Sequence, residues 1–220
     1  MIRVLIADDQ GMVRTGFTVF LSAQPDIEVV GEAADGLEAV QRAAALKPDV
    51  VLMDVRMPVM NGLEATRRLL SSDAASAPKV LILTTFDLDD YVYEALRAGA
   101  SGFLLKDASA AQLADAVRVV AAGEALIAPA ITKRLIHEFA RLGGPRGPAP
   151  KRPAELTERE AEVLTLVAQA LSNQEIAQKL VVAEQTVKTH VGRVLMKLGL
   201  RDRAQAIVFA YETGLVRPGD

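Results

Sequence analysis

Five polar side chains in the first half of the chain stand where apolar runs end. Asp8 and Asp9 follow "RVLIA", Asp54 follows "DVVLM", Thr84 closes "KVLILT", and Lys106 follows "GFLL". An isolated buried charge is very costly, so an acid at the end of an apolar strand needs a reason to be there. Three carboxylates brought together would repel one another and resist ionisation unless a cation joined them. They offer oxygen ligands, with no Cys in the chain, and that donor set suits a hard ion such as Mg²⁺. Taken singly, an acid pair after a strand is often a helix N-cap and a lone lysine is usually solvated. All five at strand ends make a site.

The elements that must position them alternate. Short, continuously apolar runs are followed by segments of helical spacing, five times over residues 1–125. This pattern predicts a doubly wound, five-stranded parallel sheet with helices on both faces. In such sheets ligands bind beyond the carboxyl ends of the strands, where the five polar residues fall. In "MDVRMPVMNG" the turn after Asp54 has its own requirements: Pro58 fixes φ, and Gly62 permits what a Cβ would hinder.

Composition sets the outer bounds. Of the 220 residues, 50% are hydrophobic and 24% charged, as in an ordinary globular protein. The absence of Cys excludes disulfides and thiolate metal sites. The opening run is too short for a secretory-signal core and no run is long enough to span a membrane, so a cytoplasmic location is expected. The net charge of −3 is unevenly spread: 13 Lys and Arg face 19 Asp and Glu in residues 1–140, against 12 and 9 in residues 141–220. A basic back half suggests nucleic acid as its partner. The charge changes sign at "RLGGPRGPAPKRP", a Gly- and Pro-rich stretch that reads as a linker. The expected organisation is therefore a domain over 1–125, a helix ("TKRLIHEFARL") and linker over 126–153, and a small all-helical domain over 154–220. His137, just before the linker, fits no catalytic arrangement and is taken as a surface residue.

In the back half, Thr157 and Glu160 form a capping box before a first amphipathic helix. A short helix from Asn173, the turn "VVA", a longer helix over Glu184–Leu198 and a fourth after Asp202 follow. A short helix, a tight turn and a longer basic helix read as a helix-turn-helix. Within the longer helix Val187, Val191, Val194 and Leu198 have core spacing. Gly192 in its interior costs roughly 1 kcal/mol relative to Ala.

The motifs "ADD", "MDVRMPVMNG", "LTT" and "GFLLKD", in that order and spacing, resemble the receiver domain of two-component response regulators, which is flavodoxin-like. "LTEREAEVL", "LSNQEIAQKL" and "TVKTHVGRVLMKLGLRDRAQAI" resemble the LuxR-type DNA-binding domain. The combination resembles the NarL/FixJ subgroup, and Asp107 in place of a common proline fits that subgroup. The resemblance implies that Asp54 accepts a phosphoryl group from a sensor histidine kinase, aided by Thr84 and Lys106. It further implies that Asp9 and Asp54 ligate Mg²⁺ directly, that Asp8 acts largely through water, and that the Arg56 carbonyl completes the protein ligands. Thr84 and Phe103 would form the switch, the aromatic rotating inward, with Phe103 in place of a frequent tyrosine. Arg56 and Phe86 would flank the water that attacks the phosphoryl group. Glu184–Leu198 would be the recognition helix, placing Thr186, Lys188, Thr189, His190, Arg193 and Lys197 towards double-stranded DNA. The helix around Ala204–Tyr211 would supply a dimer surface in a homodimer formed on phosphorylation. Two rival readings are a Mg²⁺-dependent phosphohydrolase and a signalling scaffold whose back domain binds protein. Against the first, "ADDQG" lacks the Asp-x-Asp arrangement of the haloacid dehalogenases, and no substrate cap domain is visible.

Overall fold

The computed structural model describes residues 1–71, 77–84, 92–124, 153 and 155–216. The linker and the helix expected before it (up to 152), together with His137 and Phe86, lie outside them. The chain divides into two units, Met1–Leu126 and Ile127–Asp220.

In the first unit the elements run β1 (Ile2–Ala7), α1 (Gly11–Ser22), β2 (Ile27–Ala33), α2 (Gly36–Leu46), β3 (Val50–Asp54), α3 (Gly62–Ser71), β4 (Lys79–Thr84), α4 (Val92–Ala98), β5 (Gly102–Leu105) and α5 (Ala110–Ala121). The strands form one parallel sheet in the order β2-β1-β3-β4-β5, the architecture expected from the alternation. Central β3 is buried along its whole length, whereas edge strand β2 is buried only at its two ends. Because side chains alternate along a strand, the sheet builds two cores. Val4, Ile6, Val50, Leu52, Leu81 and Leu83 pack with Phe17 and Leu21 of α1 and with Leu113, Val117 and Val120 of α5. Leu5, Val51, Met53 and Ile82 have the opposite parity and are also fully buried.

The helices start on local signals. Ser109 and Gln112 form a capping box on α5, and the Asp35 carboxylate accepts the Glu38 amide at the start of α2. Arg118 on α5 grips Asp26 in the α1–β2 loop through two bonds of 2.8 Å and Gln24 at 3.0 Å.

The second unit is helical: α6 (Glu158–Ala168), α7 (Asn173–Leu180), α8 (Glu184–Leu198) and α9 (Arg203–Glu212). Thr157 with Glu160 and Ser172 with Glu175 close capping boxes on α6 and α7. Ala183 stands at the N-cap of α8 and makes no side-chain cap, and Gly199 stands at its C-cap at φ 65. Val181 ends α7 in the left-handed region at φ 53, an unfavourable place for a β-branched residue, and opens the turn into α8. The core spacing foreseen in α8 holds in part: Val187 and Val194 are buried, Val191 and Leu198 only half-buried. Helix α9 packs on α6, and Ala204, Ala206, Ile207, Val208, Ala210 and Tyr211 are all buried. That narrows the surface expected of this helix for pairing with a second copy. Between Ala204 and Tyr211, Gln205 and Phe209 are the half-buried positions, with Glu212 exposed just beyond.

Candidate functional site: an acidic rim and a helix-turn-helix

The five polar residues foreseen at strand ends gather at one edge of the sheet. Neighbouring parallel strands in register bring Ala7 beside Met53, Asp54 beside Leu83, and Thr84 beside Leu105, so each polar residue emerges next to the others. One carboxylate oxygen each from Asp8, Asp9 and Asp54 lies within 4.8 Å of the others. Asp8 is fully buried and Asp54 nearly so, while Asp9 is exposed. Asp8 Oδ1 accepts the Gln10 amide at 2.9 Å. Asp54 Oδ1 accepts the Val55 amide at 2.8 Å.

Lys106 reaches both buried acids: its Nζ is 2.7 Å from Asp8 Oδ2 and 3.1 Å from Asp54 Oδ2. Burial holds the Asp54 carboxyl above its ordinary pKa; the Lys106 contact opposes that shift, and the Asp8 charge adds to it. Burial works against the Lys106 charge, but its hydrogen bonds to Asp8 and Asp54 prevail and hold the ammonium above its usual value. One ammonium thus stands against three acids. The surplus of negative oxygen donors fits a hard divalent cation such as Mg²⁺, as the donor chemistry predicted.

Thr84 is the last residue of β4 and is buried; its carbonyl accepts the Lys106 amide at 2.8 Å, which ties the two side chains' backbones together. Phe103 pairs in register with Ile82, so it shares the sheet face of Ile82 and Thr84, opposite α1 and α5. Phe103 is 3% exposed. The inward place foreseen for this aromatic is already occupied by the ring in this structure. A phenyl ring has no hydroxyl to hydrate, and burial favours it there. Arg56 is exposed and lines an open depression with Asp9, Met57, Pro58, Asn61 and Leu63.

The turn after Asp54 is fixed by close packing. Gly62 donates its amide to the Val55 carbonyl at 2.9 Å, and Gly36 donates to Met60 at 3.0 Å. A Cβ at Gly62 would fall 1.9 Å from the Asp54 carbonyl oxygen, and one at Gly36 would fall 2.4 Å from that of Met60. Val59, between them, sits at φ 61 and is exposed.

Sequence reading missed two groups that border these sites. Arg14 on α1 donates to the Asp8 carbonyl at 2.8 Å and to Glu32 on β2 at 3.2 Å, and Glu32 also accepts from Thr18 at 2.8 Å. In the second unit the buried Glu160 carboxylate lies 2.7 Å from Lys197 Nζ. Only the capping role of Glu160 was visible in the sequence, because its partner is 37 positions away.

The residues foreseen on the recognition helix fall into three groups. Thr186, Lys188, Thr189 and Arg193 are exposed on α8. His190 is half-buried, with its Nδ1 shielded from solvent. Lys197 is exposed as well, but its ammonium lies 2.7 Å from the buried Glu160 carboxylate of α6. Lys188 lies 3.2 Å from Glu184 one turn earlier, an exposed pair of the kind that costs little to exchange for another partner.

Residues 4–118 match the response regulator receiver domain, and residues 154–210 match the LuxR family of bacterial regulatory proteins. The chain belongs to the two-component response regulators that join a receiver domain to a LuxR-type helix-turn-helix domain, and that family regulates transcription. It is 46% identical to the transcriptional regulatory protein YxjL of Bacillus subtilis and 44% identical to LiaR of the same organism. Both alignments take in 98% of this chain; they cover 98% of YxjL and 100% of LiaR. Among solved structures, it resembles ChrA, a response regulator of a heme-sensing two-component system, with a TM-score of 0.52 and 38% identity over 98% of each chain.

Proposed function

We propose that this response regulator is phosphorylated on Asp54 by a sensor histidine kinase, and that phosphorylation promotes a homodimer that binds specific double-stranded DNA. The receiver would span 1–125, a helix and linker 126–153, and the DNA-binding domain 154–220. The observation that carries the reading is the placement of Asp54: a nearly buried carboxylate at the end of the central strand, 3.1 Å from Lys106 and beside two further acids.

In the proposed reaction an Asp54 carboxylate oxygen bonds to phosphorus as the phosphorus–nitrogen bond of a phosphohistidine breaks, and the imidazole nitrogen leaves with the electron pair. Lys106 is the cation already at hand for the phosphoryl oxygens, and the Thr84 hydroxyl is the donor proposed beside it. Asp8, Asp9 and Asp54, with the Arg56 carbonyl, would hold Mg²⁺. When bound, the ion would neutralise charge on the phosphoryl oxygens. The switch is proposed to run through Thr84 towards Phe103, which shares its face of the sheet, as a repacking of a ring already inside.

In the second domain α7 and α8 form the helix-turn-helix, and Thr186, Lys188, Thr189 and Arg193 present hydroxyls and charges on the outer side of α8. These are proposed to meet DNA, with His190 a lesser contact. Lys197 is proposed as a tie within the domain. Among the described residues no helix is long and apolar enough to cross a membrane, which supports the proposed cytoplasmic location.

The test is to replace Asp54 by Asn, nearly isosteric and unable to form an acyl phosphate. Asp54→Asn should abolish Mg²⁺-dependent labelling by a small phosphodonor while the melting profile stays native-like. It should also remove the phosphodonor's effect on DNA mobility shift. Stoichiometric labelling of that variant would assign the acceptor elsewhere.

A further inference from the structure

We propose that Arg14 is a positioning residue for the acidic rim: it sets the peptide plane between Asp8 and Asp9 and so holds the Asp9 carboxylate where a cation is bound. The proposal rests on the reading of Asp8, Asp9 and Asp54 as a Mg²⁺ site.

Two of the three acids have side-chain anchors. Asp8 is held by the Gln10 amide and Lys106, and Asp54 by the Val55 amide and Lys106. Asp9 is exposed, and no hydrogen bond or ion pair to its side chain is seen among the described residues. Its carboxylate is therefore placed by its backbone alone. That backbone is clamped on both sides of Asp8. The Asp8 amide donates to the Ala33 carbonyl of β2 at 3.1 Å, and the Asp8 carbonyl accepts from Arg14 Nη1 at 2.8 Å. Fixing that carbonyl fixes the plane of the peptide linking Asp8 to Asp9. The Gln10 amide, held by Asp8 Oδ1 at 2.9 Å, fixes the peptide on the other side of Asp9, and the two planes together set the direction in which the Asp9 side chain leaves the chain.

Arg14 is suited to the task in a way a lysine is not. Its planar fork spends one donor on Asp8 and another on Glu32 Oε2, 3.2 Å away, while Thr18 holds the other Glu32 oxygen at 2.8 Å. A bare cation next to a metal site would repel the metal. Glu32 balances the guanidinium charge, leaving Arg14 a geometric clamp with little net field. A tie between α1 and β2 needs only the Glu32 bond; the bond to Asp8 has no use in that tie and points to the rim.

The test measures Mg²⁺ binding by titration calorimetry on the full chain, beside thermal melting without the ion. Arg14→Met keeps the aliphatic bulk and loses the donors, and should weaken Mg²⁺ binding roughly tenfold, the order seen when an outer partner of a metal ligand is removed. Arg14→Lys keeps the charge but has a single donor nitrogen in place of the fork, and should fall between Met and wild type, which also serves if the Met variant does not fold. Arg118→Met breaks a comparable network on the far side of the domain; it should lower the melting temperature and leave Mg²⁺ affinity at the wild-type value. A folded Arg14 variant that binds Mg²⁺ as tightly as wild type overturns the inference while leaving the metal site standing. A wild-type chain that binds no Mg²⁺ at millimolar concentration overturns both. Loss of affinity in Arg118→Met equal to that in the Arg14 variants would reduce the effect to general destabilisation and also overturn the inference.

Discussion

Gly62, the first residue of α3, lies directly against the backbone of Asp54: a Cβ there would stand 1.9 Å from the Asp54 carbonyl oxygen and 3.0 Å from the Met53 side chain. The atom in the way is main chain of the central strand, so it cannot swing aside as a side chain would. Gly62→Ala should therefore destabilise the receiver by about 3 kcal/mol or more, the upper range for forcing atoms into a filled site. Urea unfolding of the full chain, read in the receiver transition, checks this. An alanine variant within about 0.5 kcal/mol of wild type, the range of ordinary surface changes, would show that the strand yields.

That packing also shows what the sequence could and could not reveal. The strands were legible because each is a continuous apolar run, and the rim because a polar residue ends each run that reaches it. The requirement for glycine at position 62 was legible as turn chemistry, but its cause, contact with Asp54 rather than a positive φ, needed coordinates. Phe103 was singled out as an aromatic three residues before Lys106, whereas its burial depends on a sheet face built by distant strands. Arg14 and Glu32 carry no local signal, since a charged residue on α1 and another on β2 look solvated until the two elements meet. Val191 and Leu198 have core spacing, yet the small domain leaves them half covered.

The exposed depression beside Asp9 is bordered by Arg56, two residues after Asp54, the proposed phosphoacceptor. A long side chain there is proposed to obstruct a water approaching a phosphoryl group in line with the bond to Asp54. Arg56→Asn should shorten the lifetime of the phosphoprotein several-fold at constant Mg²⁺, measured by loss of label after removal of the phosphodonor. An unchanged lifetime would mean that Arg56 does not obstruct the water.

The Glu160–Lys197 pair gives the second domain an acid-sensitive fastening. The contact with Lys197 and then the Thr157 amide hold the Glu160 carboxyl well below its ordinary 4.5, at about 2. A group whose folded pKa is depressed contributes stability that is present above its unfolded value and is lost as pH falls towards the folded one. The contribution of Glu160 should thus be complete above about pH 4.5 and fade towards about pH 2. Melting of a fragment spanning 150–220 between pH 2 and 7 reads this directly. Glu160→Gln should lower the melting temperature at pH 7 and flatten its fall below pH 4.5; a parallel curve would assign the acid sensitivity to another carboxylate.

Two positions on α8 are less stable than they need to be. Ala183 supplies no cap, and a Cβ at Gly192 would meet only open space. Ala183→Ser should add about 1 kcal/mol by accepting an amide of the first turn. Gly192→Ala should add a similar amount, roughly 1 kcal/mol, by raising helix propensity. Thermal melts of the same fragment measure both. A gain in stability at position 192 with weaker DNA binding would indicate that the missing side chain lets DNA approach; a gain with unchanged binding would remove that reason for the glycine.

The two lysines of α8 should behave differently although both were foreseen as DNA contacts. Lys188 is exposed near the start of the helix, and its pair with Glu184 one turn away is exposed too, so its replacement leaves that acid in solvent rather than stranded in the core. Lys188→Ala should preserve the fold and weaken binding by about 1–3 kcal/mol if the ammonium reads a guanine edge. A phosphate contact would instead weaken all sequences alike and lower the slope of affinity against salt by about one. Lys197 is held by a carboxylate that is 3% exposed. Lys197→Ala leaves that carboxylate buried without its cation, and a stranded buried charge is far more costly than a lost surface pair. Its main effect should be a lower melting temperature, with the salt dependence of DNA binding unchanged in whatever fraction stays folded. Mobility shifts at several salt concentrations, run beside melting curves for both variants, separate the two roles. If Lys197→Ala melts like wild type and flattens the salt dependence, the lysine leaves Glu160 for DNA, and its part as a tie within the domain is wrong.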